Sequence, residues 1–403
     1  MKVSNKNLNN ENLNDLKTLN IELDDTLFKF IDANDAGKNQ ITLAGKPRLL
    51  IVDIVRRFCK NYVALTALIM IIIISFTCLI IPITSPFSAT NPIANISNVW
   101  LTQLPPSYSP IVTESLNKER ADVLISLQQL NPQELLIIGW SPENWTPTEI
   151  NNNFLITYNK YLFIRLYSGS NINVNSLLGT NMQGVDIWTR TWTAARDSIT
   201  LSFLVATTDA ILGITVGCFL GFYAGKWIDT VLTRIIDIII NIPTLVWFLM
   251  LMTIVGKGNI NPFSLYFILI SIGWVYMVNT TRLWMITVKD QEFILAAKAI
   301  GCSTQRQIFV HGLPMIIGKL STNYVRRIVT VILSISSLVF LGFLDSSDDP
   351  NLGTLLKESI PILDINFWGL LLPSIILLSF SLSAQFVANG LHDALDPKVE
   401  RGK

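Results

Sequence analysis

Histidine is nearly absent from this chain, and charge is sparse. Of 403 residues, two are histidine, four are cysteine and 15% carry charge, while half are hydrophobic. His311 and His392 stand far apart, and no cysteine or histidine pair has the spacing of a zinc ligand set, so no resident metal is expected. Cys59, Cys78, Cys218 and Cys302 fall in or beside apolar segments or in one short loop. None lies in the polar stretch 89–198, which argues against a disulfide framework there. A formal net charge of +1 leaves no basic excess to neutralise phosphates, so no nucleic-acid partner is expected. The phosphate-binding patterns GxxxxGKS and GxxxxGKT are also missing, and the chain is expected to bind no cofactor itself.

What is present is long apolar runs. The first, 63–83, has about twenty uncharged residues, enough to cross a hydrocarbon core of roughly 30 Å. It begins too deep in the chain for a cleavable signal. Further candidate spans are 199–222, 235–255, 263–286, 328–344 and 366–389. Basic residues then orient the chain. With the N-terminus inside, Arg56, Arg57, Lys60, Lys226, Arg234, Lys289, Lys298, Arg306, Lys319, Arg326, Arg327, Lys398, Arg401 and Lys403 are cytoplasmic. The outer loops keep Lys257, Lys357 and the acidic run 345–349. The expected organisation is a cytoplasmic tail (1–60), a first transmembrane helix (61–83), an extracytoplasmic insertion (84–198), a five-helix core (199–390) and a cytoplasmic C-terminal tail (391–403). The insertion contains the stretch TESLNKERADVLISLQQL, read as one helix with Leu116, Val123, Leu124, Leu127 and Leu130 near one face. Trp188 and Trp192 are read as interface anchors. Asp237 is read as interfacial, and for Asp209 that reading stands beside a second, a deep charge that faces a pathway or a partner helix. Ser198, Asp186 and His311 make no catalytic triad, because this topology puts His311 across the membrane from the other two.

One loop in the core, 290–314, is too mixed to cross a membrane: DQEFILAAKAIGCSTQRQIFVHGLP. Asp290 can cap a helix on which Phe293, Ala296, Ala297 and Ile300 cluster at three- and four-residue spacing. Gly301 ends it, Thr304 with Gln307 fits a capping box for a second short helix, and Pro314 stops or redirects that helix. By its residues alone this is a docking element for another protein, an amphipathic helix on the membrane surface or a plain loop.

Glu292, Ala296, Ala297, Gly301, Ile308, Leu313 and Pro314 resemble, in order and spacing, the EAA loop of membrane subunits of bacterial ABC importers. Ahead of the second span, 177–203 resembles the segment that marks the dipeptide/oligopeptide/nickel branch of those permeases. Leu178, Gly179, Thr180, Gly184, Asp186, Arg190, Ala195, Arg196 and Ser198 agree, while Asn181, Val185 and Ala194 replace the family's Asp, Arg and Gly. LVFLGFLDSSDDPNLGTLL, with Leu352 where Trp is usual, and VANGLHDALDPK resemble its C-terminal patterns. The resemblance covers about 50–400 and is to the C-type partner of a two-permease pair; the tail before about 45 and the segment 86–176 have no counterpart in it.

The resemblance implies an all-α membrane protein with the six transmembrane helices of a type I ABC importer permease; the large extracytoplasmic insertion between spans one and two is expected from the topology and the length of that segment. The resemblance also implies a multi-pass protein of the bacterial cell membrane with both termini cytoplasmic. The implied partners are a second homologous permease, two ATPase subunits that carry ATP and Mg, an extracellular peptide-binding protein or lipoprotein, and the lipid bilayer. The implied cargo is an oligopeptide or dipeptide, with nickel or another small solute as alternatives. Glu292, Phe293, Ala296, Ala297, Ile300, Gly301, Leu313 and Pro314 would couple to the ATPase, Glu292 by pairing with a cation, the alanines by seating in a groove and Gly301 by making the turn. Outside the family, the readings are a scaffold or receptor and an ion-coupled carrier. A carrier would show inverted repeats, and Asp209 is the strong point in its favour.

Overall fold

The computed structural model describes residues 50–93, 98–134, 136–140, 153–168, 174–256, 262–343 and 350–395. Met1–Val52 and Asp53–Lys403 are separate compact units, and only the last three residues of the first are described. The tail 1–49, the acidic run 345–349, Lys257 and the terminal 396–403 lie outside the described residues.

Helix α1 (Leu50–Lys60) stops at Asn61, whose side chain accepts from Ala64 N–H at 3.3 Å and opens α2 (Tyr62–Thr84). α2 has no charge along 23 residues, about 35 Å at 1.5 Å per residue. Its Ile72, Ile73, Phe76, Leu79 and Ile83 are exposed, as on a helix that meets lipid, while Ala64, Ala67, Ile74 and Cys78 are buried. Four more long apolar helices follow: α6 (Ile187–Phe222), α9 (Pro262–Lys289), α12 (Leu313–Phe340) and α14 (Trp368–Leu395). α6 and α9 pack together more extensively than any other pair. Gly213, Gly217 and Gly221 form the seam: a Cβ at Gly217 would sit 2.6 Å from Thr281 Cβ and 2.7 Å from the Val278 carbonyl, and Gly221 is equally tight on Met285 and Arg282. Small residues every fourth position let two backbones touch where lipid offers no hydrophobic drive.

The expected straight span 235–255 is broken. α7 (Trp227–Asn241) and α8 (Thr244–Gly256) meet at 92°. Pro243 lacks the N–H that would continue the helix and forces Ile242 into extended backbone, ψ 129°. Trp247 Nε1 donates to the Ile239 carbonyl at 3.1 Å and holds the corner. Among the described residues five helices are thus long and apolar enough to cross a membrane, six with the bent pair taken as one span, and the chain is a multi-pass membrane protein. The expected fifth span, 328–344, falls on the C-terminal part of a longer helix. α12 begins at Leu313, so Arg326 and Arg327, assigned to the cytoplasmic flank, lie well inside it.

Between α2 and α6 the expectation of an all-α protein fails. After α3 (Asn98–Leu101) come β1 (Ile111–Asn117), α4 (Lys118–Leu130), β2 (Ile137–Trp140), β3 (Asn153–Asn159) and α5 (Lys160–Ser168). The strands form one antiparallel sheet in the order β1-β3-β2, with Val112 opposite Tyr158. The helix expected from Thr113 begins only at Lys118, capped by Asn117, and Leu116 lies on β1. Leu101, Leu104, Leu124, Leu136, Tyr158 and Phe163 fill the core beneath the sheet. Glu114 points inward with them, accepting from Tyr158 Oη at 2.9 Å and from Lys160 Nζ at 2.6 Å. Lys160 is buried, and burial holds its pKa below the usual lysine value although the Glu114 carboxylate pulls it back up.

Candidate functional site

The loop after α9 is built around α10 (Glu292–Ala299). Its N-cap is Gln291, without a side-chain bond, rather than Asp290. Its C-terminus closes as a Schellman motif: Cys302 N–H donates to the Ala297 carbonyl and Gly301 N–H to that of Lys298, both at 3.0 Å. Gly301 takes φ +81°, the left-handed region expected of it, with open space around a Cβ. α10 splits the expected apolar cluster. Ile294 and Ala297 turn inward, so Ala297 is unavailable to a partner, whereas Glu292, Ala296, Phe293 (40% exposed) and Ile300 (86% exposed) face out.

The second helix also differs from expectation. Ser303 is the N-cap of α11 (Thr304–Arg306), and Gln307 Nε2 donates to the Cys302 carbonyl at 2.6 Å, so no Thr304–Gln307 capping box forms. A π-helical turn, Gln307–Gly312, joins α11 to α12, with Leu313 N–H reaching back five residues to Ile308. That wider turn carries the helix past Pro314, which sits in the first turn of α12, where its missing N–H costs little. Thr304–Phe340 is therefore one continuous helical unit rather than a short helix stopped by proline.

Five of the six outer-motif residues come together. Gly179 (φ +81°) and Gly184 (φ +77°) bracket a small hairpin closed by a Thr180–Asp186 bridge. Thr180 Oγ1 donates to the Leu101 carbonyl at 2.6 Å and accepts from Leu104 N–H at 2.9 Å. Asp186 caps α6, accepting from Thr189 N–H at 2.8 Å and Thr189 Oγ1 at 2.6 Å, and its other oxygen accepts from Ser176 Oγ. Arg190, 1% exposed, donates through Nη2 to Glu358 at 3.0 and 3.2 Å and through Nη1 to the Ala89 carbonyl at 3.2 Å. Glu358 belongs to α13 (Leu352–Ser359), so the motif ties α6 to the chain after α2 and to α13. Arg196 stands apart, half exposed beside Asp197 at 2.8 Å. Trp192, expected as an interface anchor, is buried, edge-on to Trp188.

Asp209 resolves toward a partner helix. It is wholly buried in α6, and Arg327 Nε from α12 donates to its Oδ2 at 2.7 Å. Gly273 of α9 makes room for them, since any Cβ there would collide with both side chains. The pair lines a cleft of about 430 Å³, together with Thr244, Tyr276, Asn323, Tyr324 and Arg326. A second pair, Arg282 to Asp229 at 2.5 and 2.8 Å, fastens the start of α7 to α9. Arg327, Glu358, Gly273, Asp229 and Arg282 were not singled out by the sequence. The available signal was Asp209 itself, since a buried carboxylate in an apolar span requires a cation.

Comparison with known proteins decides the family. The "Oligopeptide transport system permease protein OppC" of Mycoplasma pneumoniae is 32% identical over 384 residues, covering 94% of this chain and 98% of the relative. The chain belongs to the binding-protein-dependent transport permeases. Residues 213–401 of the permease match the family "Binding-protein-dependent transport system inner membrane component", and 50–106 match "N-terminal TM domain of oligopeptide transport permease C". The protein of the same name in Mycoplasma genitalium is 32% identical over 390 residues, with the same coverage of both chains. That of Bacillus subtilis is 30% identical over 223 residues, covering 55% of this permease and 72% of the relative. The share of this chain outside the two Mycoplasma alignments is too small to hold 86–176, so both alignments run across the segment for which no counterpart was expected.

Proposed function

We propose that this permease forms one half of the membrane path of a peptide importer, with both termini in the cytoplasm and the sheet-bearing domain between α2 and α6 outside the cell. A second homologous permease encloses the other half. Two ATPase subunits, holding ATP and Mg, dock on α10, and an extracellular binding protein delivers the peptide to the outer face. Glu292 pairs with a cation of the ATPase, Ala296, Phe293 and Ile300 seat in its groove, Gly301 makes the turn that ends α10, and Leu313 and Pro314 open α12 behind it. The observation that carries this reading is the exposed face of α10 in a chain whose full-length relatives are named oligopeptide permeases.

The test is purification of the native chain from mild detergent, with partners identified by mass and Gly301→Asp run beside it. The wild type is expected to retain a second permease and two ATPases. Gly301→Asp, which strains the turn and places charge at the docking face, is expected to insert normally, lose the ATPases and abolish uptake. Absence of any ATPase from the wild type, or normal uptake by the variant, would contradict the proposal.

A further inference from the structure

The cleft beside α6, α8, α9 and α12 carries an excess of one charge. Its described lining holds three charged side chains, Asp209, Arg326 and Arg327. Asp209 is matched by the 2.7 Å bond from Arg327 Nε, and its other oxygen is buried without a hydrogen bond. Arg326 is exposed on the same wall, and its bond is to a neutral amide, Asn389, at 3.0 Å. Two arginines against one carboxylate leave this wall with one unbalanced positive charge. Nη1 and Nη2 of Arg327 make no hydrogen bond to the described residues. An uncompensated cation inside a membrane protein is expensive and marks a pathway or a ligand. The rest of the lining is neutral and hydroxyl-rich, including Thr280, Tyr324, Thr330 and Ser334.

A path that passes peptides of varied sequence can recognise only what all of them share: backbone amides and the two termini. Hydroxyls suit the first, and a planar guanidinium suits a carboxylate, which it grips through paired N–H donors. We infer that this cleft is where the permease meets its cargo, and that Arg326 with the free Nη groups of Arg327 receives the peptide's C-terminal carboxylate. The inference rests on the proposed function and adds what selects the cargo inside the membrane.

The test uses the assembled importer in liposomes with its binding protein. It is offered a peptide without acidic side chains and the C-terminal amide of that peptide, each saturating the binding protein. The wild type is expected to import the free acid at least roughly tenfold faster than the amide, the scale of a charge-assisted hydrogen bond. Arg326→Gln is expected to reduce that ratio to about two, and Arg326→Lys, which keeps the charge but loses the fork, to an intermediate value. Equal wild-type rates for acid and amide overturn the inference, as does a ratio left unchanged by Arg326→Gln or, should that variant fail to assemble, by Arg326→Lys. Import of another solute but of neither peptide would overturn instead the peptide reading on which the inference rests.

Discussion

Two buried carboxylates on one helix, Asp186 and Asp209, are treated in opposite ways. Asp186, at the start of α6, spends both oxygens on Ser176 and Thr189. Asp209, six turns on, receives one bond and keeps an oxygen without a partner. Their arginines differ too: Arg190 binds Glu358 and a backbone carbonyl, whereas the Nη groups of Arg327 make no hydrogen bond to the described residues. Each network leaves one buried atom unmet, Arg190 Nε in the first and Asp209 Oδ1 in the second, but the first spreads its bonds over Ser176, Thr189, Glu358 and the Ala89 carbonyl while the second rests on a single bond. The outer motif thus ties α6 to α13 and to the chain after α2, whereas the Asp209–Arg327 pair joins two helices by one bond at the edge of a cleft.

The contrast can be broken at either end. Arg327→Ala strands the Asp209 carboxylate, and about 3–5 kcal/mol of stability should be lost. The neutral double variant Asp209→Asn/Arg327→Gln should recover most of it; detergent-solubilised thermal inactivation measures both, and a double variant as unstable as the single one would mean that the charges themselves hold the fold. Asp186→Ala removes a helix cap and leaves buried donors unmet, so a loss of about 2–3 kcal/mol is expected by the same assay. Asn181→Asp sharpens the view of the outer tie. Its amide nitrogen lies 3.4 Å from Glu358 and its oxygen accepts from Gln183 and Val185 N–H, so the aspartate keeps the turn but sets a second carboxylate against the first. A cost of about 1–2 kcal/mol, shrinking when Glu358 is also changed to Gln, is expected. Arg196→Ala, at the motif residue outside that tie, should change stability by less than about 0.5 kcal/mol, because its exposed pair with Asp197 is screened by water.

Much of the membrane part was legible because hydropathy reads directly as length: 63–83 became Tyr62–Thr84 and 263–286 became Pro262–Lys289. The averaging that finds spans also hid two features. A window across Pro243 averages to an apolar value and misses the 92° corner, and the polar half of α12 around Arg326 and Arg327 pulled its apparent start toward the C-terminus. The sheet was missed because Glu114 occupies an inward position of β1, paired with Lys160, and interrupts the apolar alternation of Val112 and Leu116. Gly301 was legible since its demand is local; Ala297 was misassigned because facing inward depends on the π-helical turn beside it.

The glycine seam between α6 and α9 has a mechanical meaning. Backbones touching at Gly213, Gly217 and Gly221 interlock like teeth, so the two helices bend and tilt as a single beam. One end of that beam runs within three residues into α10, and Gly273, against the cleft pair, lies farther along it. Arg282 bolts α7 to the same beam through Asp229. The cleft therefore sits between this beam, at Gly273, and the far arm of the Pro243 corner, since α8 begins with the cleft residue Thr244.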